Sequence, residues 1–525
     1  MNEQFDLAII GAGPGGYSTA LRAAELGMSV ALIERDATVG GTCLNRGCIP
    51  SKALITATHT IDTVHRAAEL GVNASVNGID FGTLRDYRLR VVDTMVKGLA
   101  GLLAHRNITV LRADASFNAE ETDAADNARH IVHLAPSPGQ TEILTYHKAD
   151  VPEPTGASLD LAAGNVVIAT GAKPRPLPGN PFAGALIDST QALEVNEFPS
   201  SAVIIGAGAI ALEFASMWNA AGSQVTLLIR KNRVLSTWDR RAGTTLTREL
   251  KRRGVNVITH TIVTHVDTGA NLGATVHYTH EGQDSEQSVC GEIALAAIGR
   301  TPVADPSWGV ALTESGHVAT DAFGRTNKSG IWAVGDVTPG HALAHRAFEQ
   351  GIVIAETIAG LNPKPVDENT VPQIVFSSPE AASVGLTIEQ AQARENLLEV
   401  KETIYPMLAN ARMLMSGTAG SLTIVSGCDA ADPDTPRVLG VHMVSPVASD
   451  IISEAEQLVG NRLPLADAAR LIHPHPTFSE TLGEALLKAD DRPLHTRCAR
   501  PAHLIRYCPV CFVPAKGRSD GGKGR

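Results

Sequence analysis

At 525 residues the chain has material for about three or four domains, and it is long enough to bury large cores without disulfide staples. Hydrophobic residues make up 44% and charged residues 19%, an ordinary water-soluble balance, and a net charge of −11 argues against a nucleic-acid-binding surface. Seven cysteines in so long a chain do not make a disulfide framework.

The acidic opening MNEQFDLAII has an apolar run that stops at Gly11 and does not fit a secretory signal, so a cytoplasmic location is expected. Residues 5–10 read as a strand, GAGPGG follows at once, and YSTALRAAELG reads as a helix ending at Gly27. A second strand over 28–33 ends in Glu34. In this setting Gly11 permits a tight turn, Gly13 admits a pyrophosphate, Gly16 allows close helix–strand packing, and Glu34 is placed to accept ribose hydroxyls.

Next comes GGTCLNRGCIPSK, residues 40–52, with Cys43 and Cys48 five apart. A structural staple, a metal site and a redox couple are all open to such a pair. In a regular helix residues at this spacing lie about 8.5 Å apart at Cα, beyond the ~7 Å reach of a disulfide. Bridging them requires an irregular turn, which Asn45 and Gly47 can supply. Residues 118–163, with EETDAADNAR and PSPGQ, read as an expanded surface loop or hairpin. NVVIATG at 165–171 is a buried strand running into a turn.

The strand–glycine–helix–strand pattern returns at 201–230, with Gly206, Gly208 and Ala211 in the three fingerprint positions. The chain therefore carries two dinucleotide sites. The second unit ends in Arg230, followed by Lys231 and Arg233, where an acid would select against a phosphate. These bases are either a solvated loop or a 2′-phosphate clamp. The apolar stretch 202–218 is broken by Gly206, Gly208 and Glu213 and is too short to span a membrane, so no membrane association is expected. IWAVGDV at 331–337 is a further strand that leaves Asp336 at its tip, before the helical run ALAHRAFEQGIVIAETIAG; a plain helix cap is the simpler role for that carboxylate.

Taken together, GAGPGGY, GGTCLNRGCIPSK, IATGAKPRPLPG, GAGAIALE, AAIGRTP, AVGDV, PEAASVGLT and HPHPTFSE resemble the pyridine-nucleotide disulfide oxidoreductases, and within them the dihydrolipoyl dehydrogenases, from about residue 3 to residue 496. The resemblance implies an α/β fold with two Rossmann-like dinucleotide-binding domains, for FAD and for NAD or NADP, and a C-terminal α/β dimerisation domain. The implied domains are 1–172 and 299–365 for the two parts of the FAD domain, 173–298 for NAD(P), and 366–496 for the interface. It also implies that Cys43 and Cys48 are the redox couple, Cys43 meeting the substrate and Cys48 lying beside the flavin. A zinc site has no second close ligand pair nearby. Lys52 would approach the flavin and pair with Glu213. His475 would be the base, oriented by Glu480 and supplied by the second subunit, with His473 a support residue. Thr42, Ala115, Thr170, Gly171, Asp336 and Ala344 are expected around FAD, where the helix after Asp336 would stabilise negative charge on the ring. Gly206, Gly208, Ala211, Glu213, Arg230 and Gly299 are expected around the nicotinamide nucleotide.

The activity implied is oxidation of protein-bound dihydrolipoamide in a homodimer. The lipoyl group would come from a subunit of a 2-oxoacid dehydrogenase or glycine cleavage system, since no lipoyl hairpin is seen in this sequence. An NADPH-driven reductase of a small disulfide or of mercuric ion is the alternative. Two features depart from the pattern. Ala209 stands where many relatives carry a bulky residue over the flavin. Residues 497–525 form an extension, read as disordered, whose Cys508 and Cys511, with Cys498, His495 and His503, offer a zinc- or partner-binding alternative.

Overall fold

The computed structural model describes residues 3–122, 129–148, 151–269 and 273–497. The cysteines proposed for a tail module, Cys498, Cys508 and Cys511, lie outside the described residues, as does His503; His495 is within them and bonds Glu484. Among the described residues no helix is long and apolar enough to cross a membrane.

The fold is mixed α/β, as the sequence implies. A nine-stranded sheet is built around Glu3–Ile10, which pairs in parallel with Val30–Glu34 on one side and with Leu159–Ile168 on the other; Ile331–Ala333 pairs in turn with Leu159–Ile168. Register sets Ile10 opposite both Ile33 and Ile168, and Ile168 opposite Ala333. The four parallel strands therefore end at one edge, and the chain segments that leave them converge there. The strands fully covered on both faces are continuous apolar runs, as over residues 30–33 of Val30–Glu34.

Of the two forms expected for 118–163, loop or hairpin, the strands follow the hairpin and are built into the sheet. Asp114–Thr122 and His130–Ala135 extend the sheet antiparallel beyond Leu159–Ile168, and the pair Ile143–Lys148 and Val151–Gly156 extends it beyond Thr109–Arg112. One face of these strands is buried, as at Phe117 with Ala119 and Val132 with Leu134, while the other is more exposed. Half their residues are accordingly polar, which gives strand sequence the look of a loop.

The second unit has a parallel sheet in the order Leu186–Ile187, Ile293–Ala296, Ser201–Ile205, Gln224–Leu228, Asn256–Ile258. Packed on it is a three-stranded antiparallel sheet, Thr261–Gly269, Gly273–His280 and Gln287–Gly291, through Ala274, Val276 and Tyr278. The third unit is a five-stranded antiparallel sheet covered by the helices Ala448–Gly460 and Glu480–Ala489, with Ile451, Ile452, Leu482 and Leu486 in its core.

Candidate active site

The glycine turn after the first strand is shaped by contact. A side chain at Gly16 would put its Cβ 1.8 Å from the Gly11 carbonyl oxygen, so only glycine lets the helix Pro14–Glu25 start so close to the strand. Glu34 braces the turn, with Oε2 accepting from the Ala12 amide at 2.9 Å and Oε1 from Asp36 at 2.8 Å. Burial pushes the Glu34 carboxyl up, against those two amide bonds. The helix N-terminus thus faces a cavity of about 1040 Å³ at the converging strand ends.

That cavity gathers Gly11, Gly13, Glu34, Thr42, Cys43 and Cys48 from the first half of the sheet unit. Ala115, Thr170 and Gly171 line it from the neighbouring strand ends, and Asp336 and Ala344 from the segment after Ile331–Ala333. Asp336 caps no helix, because the following helix begins at Ala344 with Leu343 before it. Its carboxyl is pushed up by burial, opposed by Arg300, whose Nε lies 3.8 Å away, and by Arg346. Arg300, in the AAIGRTP motif, lines the cavity and was given no role from sequence; its position beside Asp336 is a long-range contact with no local signal. A bare glycine-walled cleft, a helix N-terminus and paired polar groups at its rim fit FAD.

The cysteines lie on one wall. Gly41–Arg46 is a short helix, Gly47 breaks it at φ −146°, ψ −106°, and a new helix, Cys48–Arg66, starts at the second cysteine. A Cβ at Gly47 would come 2.9 Å from the Thr42 carbonyl oxygen. The irregular turn is therefore at Gly47, while Asn45 stays helical and clamps the loop by donating to the carbonyls of Val39 and Gly41 at 3.0 and 3.1 Å. Both cysteines are free thiols, and they hydrogen-bond each other. That bond and burial push Cys43 up. The same bond lowers Cys48 to about 7, burial opposing, Lys52 assisting and Glu213 opposing. Cys48 is exposed only in that it opens into the cavity, with protein on its other sides.

Lys52 lies one turn past Cys48. Its Nζ is 2.8 and 3.0 Å from the two oxygens of Glu213, which also accepts from the Phe376 amide at 3.2 Å, and it sits 4.5 Å from the centre of the Phe376 ring. Phe376 was not singled out in the sequence. Glu213 comes from the helix Ala209–Ala220 of the second unit, so this pair joins the two nucleotide-binding units across the thiols.

Gly208 lines a second cavity of about 340 Å³, which shares Ala209 with the first. The small side chain at 209 stands where the two meet. Gly206 and Ala211 lie behind its wall, Ala211 fully buried, and Gly299 precedes the strand Arg300–Pro302. Arg230 and Lys231 are exposed, and among the described residues neither side chain is held by an ion pair; Arg233 instead turns back to the Ser236 carbonyl at 3.1 Å.

His475 and Glu480 are not in their own chain's cavity. In the third unit His475 Nδ1 is 2.7 Å from Glu480 Oε1, while Glu480 Oε2 accepts from the Thr477 amide at 2.9 Å. These contacts hold the Glu480 carboxyl below its usual range although burial opposes them. The His475 side chain is 75% exposed, so its other nitrogen, Nε2, faces outward. His473 is half-buried, with Nε2 2.7 Å from Glu454 Oε1, a bond that raises its pKa.

The sequence matches the pyridine nucleotide-disulphide oxidoreductase family over residues 5–351 and that family's dimerisation domain over 371–486. It is 33% identical to the dihydrolipoyl dehydrogenase of Geobacillus stearothermophilus, covering 93% of this chain and 96% of that protein. It is 34% identical to a dihydrolipoyl dehydrogenase of Bacillus subtilis, covering 94% and 100%. Among solved structures, LpdA from Mycobacterium tuberculosis superposes with a TM-score of 0.79 at 26% identity over 93% of this chain and 99% of that one. The HOCl-induced flavoprotein disulfide reductase RclA of Escherichia coli, solved as a Cu(II) complex, gives 0.74 at 26% identity over 93% and 99%.

Proposed function

The chain belongs to the pyridine nucleotide-disulphide oxidoreductases, FAD-dependent enzymes, and from that premise we propose that it is a dihydrolipoyl dehydrogenase acting on lipoyl groups carried by a 2-oxoacid dehydrogenase or glycine cleavage partner. The observation that carries the reading is the polarised thiol pair, Cys43 holding the proton and Cys48 the charge, set between Lys52 and the cavity.

In this reading His475 Nε2 takes a proton from the substrate dithiol, Glu480 fixing Nδ1 as the protonated nitrogen. The substrate thiolate attacks Cys43 of the oxidised pair, and Cys48 leaves as thiolate, favoured as the lower-pKa sulfur. The second substrate sulfur then attacks the first. The mixed disulfide breaks and the substrate departs as a cyclic disulfide; the proton of its second thiol passes to the leaving Cys43 sulfur, and His475 keeps the first proton, balancing the Cys48 thiolate. FAD held along Gly11, Gly13, Glu34, Thr170 and Asp336 would supply an acceptor for the thiols' electron pair and a hydride donor to the pyridine nucleotide. Because His475 is exposed and does not line its own chain's cavity, in this reading it serves the thiols of a second copy, with the homodimer as the working unit.

A second reading rests on Arg230 and Lys231, exposed and unpaired among the described residues where an acid would reject a 2′-phosphate. They favour NADP, and with it a reductase of small disulfides or mercuric ion. Steady-state rates decide between the two. Dihydrolipoamide oxidation with NAD⁺ and NADP⁺ is compared with NADPH-driven reduction of glutathione disulfide and mercuric ion. Faster turnover in the reductive direction would overturn the first reading.

A further inference from the structure

Away from the flavin cavity, the outer face of the three-stranded sheet in the second unit carries a cluster that the redox chemistry does not use. His265 and His277 are directly opposed across the antiparallel pair Thr261–Gly269 and Gly273–His280. Their rings stack with centres 4.0 Å apart at 10°. Both Nδ1 atoms face Glu286, at 3.8 Å from Oε1 for His265 and 3.5 Å from Oε2 for His277. Both Nε2 atoms face Asp267 Oδ2, at 3.8 and 3.1 Å.

We propose that this face binds one divalent transition ion, zinc by preference, through His265 Nδ1, His277 Nδ1 and Glu286. The separations carry the choice. Ligand atoms about 2.1 Å from a tetrahedral ion lie about 3.4 Å apart, close to the two nitrogen–carboxylate distances here. The rings leave their stacked arrangement by rotation about Cβ–Cγ, and the His265 side chain, 46% exposed, has room to turn. Two imidazoles with one carboxylate suit zinc, whereas calcium and magnesium favour an all-oxygen set.

The surroundings are those of a ligand set. Asp267 accepts from His277 Nε2–H, which leaves the Nδ1 lone pair directed at Glu286. The Thr264 hydroxyl lies 2.8 Å from Glu286 Oε1, and Thr264 occupies the register shift between Val263 and His265, a bulge that re-aims its side chain. The ion pairs formed by Asp267 and Glu286 among the described residues are with these two histidines alone. With neutral imidazoles, two carboxylates therefore stand without a cation, and a divalent ion balances them. The opposite face of the same strands is buried through Ala274, Val276 and Tyr278, so the backbone that presents the ligands is fixed. The ion would clip all three strands together, since Glu286 immediately precedes Gln287–Gly291.

The test is calorimetric titration of the FAD-loaded full chain with Zn²⁺ near neutral pH. The Cys43–Cys48 pair is first oxidised and the remaining thiols are alkylated, so that no thiolate competes. One equivalent should bind and raise the melting temperature. His265→Gln and Glu286→Gln should each weaken binding at least about tenfold and abolish the thermal shift, and Asp267→Asn should weaken it about tenfold through ligand orientation. All three should keep parental FAD content and dihydrolipoamide turnover, which separates loss of the ion from misfolding. Undiminished binding in both the His265 and Glu286 variants, or no binding below about millimolar zinc, would overturn the site.

Discussion

Replacing Glu480 with Gln tests the proposed base more sharply than removing His475. The carboxylate accepts two hydrogen bonds at once, from His475 Nδ1 at 2.7 Å and from the Thr477 amide at 2.9 Å. A Gln amide can accept on one side only. If its carbonyl keeps the Thr477 amide, its NH₂ faces Nδ1, and the proton must move to Nε2, the atom meant to receive the substrate proton. Two losses follow. Opposite unit charges about 4 Å apart attract by about 4 kcal/mol at an effective dielectric of 20, and solvent exposure reduces this to about 1 kcal/mol, so removing the carboxylate charge costs the imidazolium roughly fivefold in rate. Returning the ring to the useful tautomer breaks one hydrogen bond at about 1–1.5 kcal/mol, roughly a further tenfold. Glu480→Gln should therefore slow dihydrolipoamide oxidation about 50-fold, whereas Glu480→Ala, which imposes no tautomer, should slow it only about fivefold. The companion assay is NADH oxidation by ferricyanide, which bypasses the thiols and should be unchanged in both. A Gln variant as active as the Ala variant, or an equal fall in both assays, would refute the tautomer argument.

Two further outcomes follow from the same electrostatics. In the reduced protein, alkylation of Cys48 by iodoacetamide should rise as pH passes through about 7, because its lowered pKa leaves thiolate above that pH and thiol below it, while Cys43 stays protonated. Lys52→Met should move that midpoint up by removing an assisting cation, and Glu213→Gln should move it down by removing an opposing anion; shifts in the same direction, read by mass spectrometry of the alkylated peptides, would refute the assignment. At the second nucleotide site, Arg230→Glu should lower kcat/KM for NADP⁺ several-fold and spare NAD⁺, since an acid repels a 2′-phosphate. Strict NAD specificity in the parent with no response to that substitution would end the phosphate-clamp reading.

Much of this molecule was legible before any coordinates because its signals are local. A glycine turn between an apolar strand and a helix, at Gly11–Gly16 and again at Gly206–Ala211, is a property of a few consecutive residues. So are the five-residue spacing of Cys43 and Cys48 and the spacing of His475 and Glu480, whose side chains meet within one turn of chain. The turn residue was only partly read. Gly47 breaks the helix through its non-helical backbone, and the Thr42 carbonyl leaves no space there for a Cβ, whereas Asn45 acts through its side-chain amide. For 118–163 the sequence leaves loop and hairpin open, because a sheet face in contact with water alternates polar with apolar residues and the acidic stretch between two of the strands hides that alternation.

Tertiary structure decided what depends on segments distant in sequence. Ile10, Ile168 and Ala333 share one register, and only that alignment collects the glycine turn, Thr170 and Asp336 at a single cavity edge. Arg300 beside Asp336, Phe376 beneath Lys52, and the stacked His265 and His277 have no signature in their own neighbourhoods, since each partner is brought by a different strand or helix. The division between the two thiols is likewise spatial. Residue type gives Cys43 and Cys48 the same intrinsic acidity, and what separates them is their hydrogen bond to each other, which raises Cys43 and lowers Cys48, with help from a lysine one helical turn beyond the second, held in place by a glutamate from another unit.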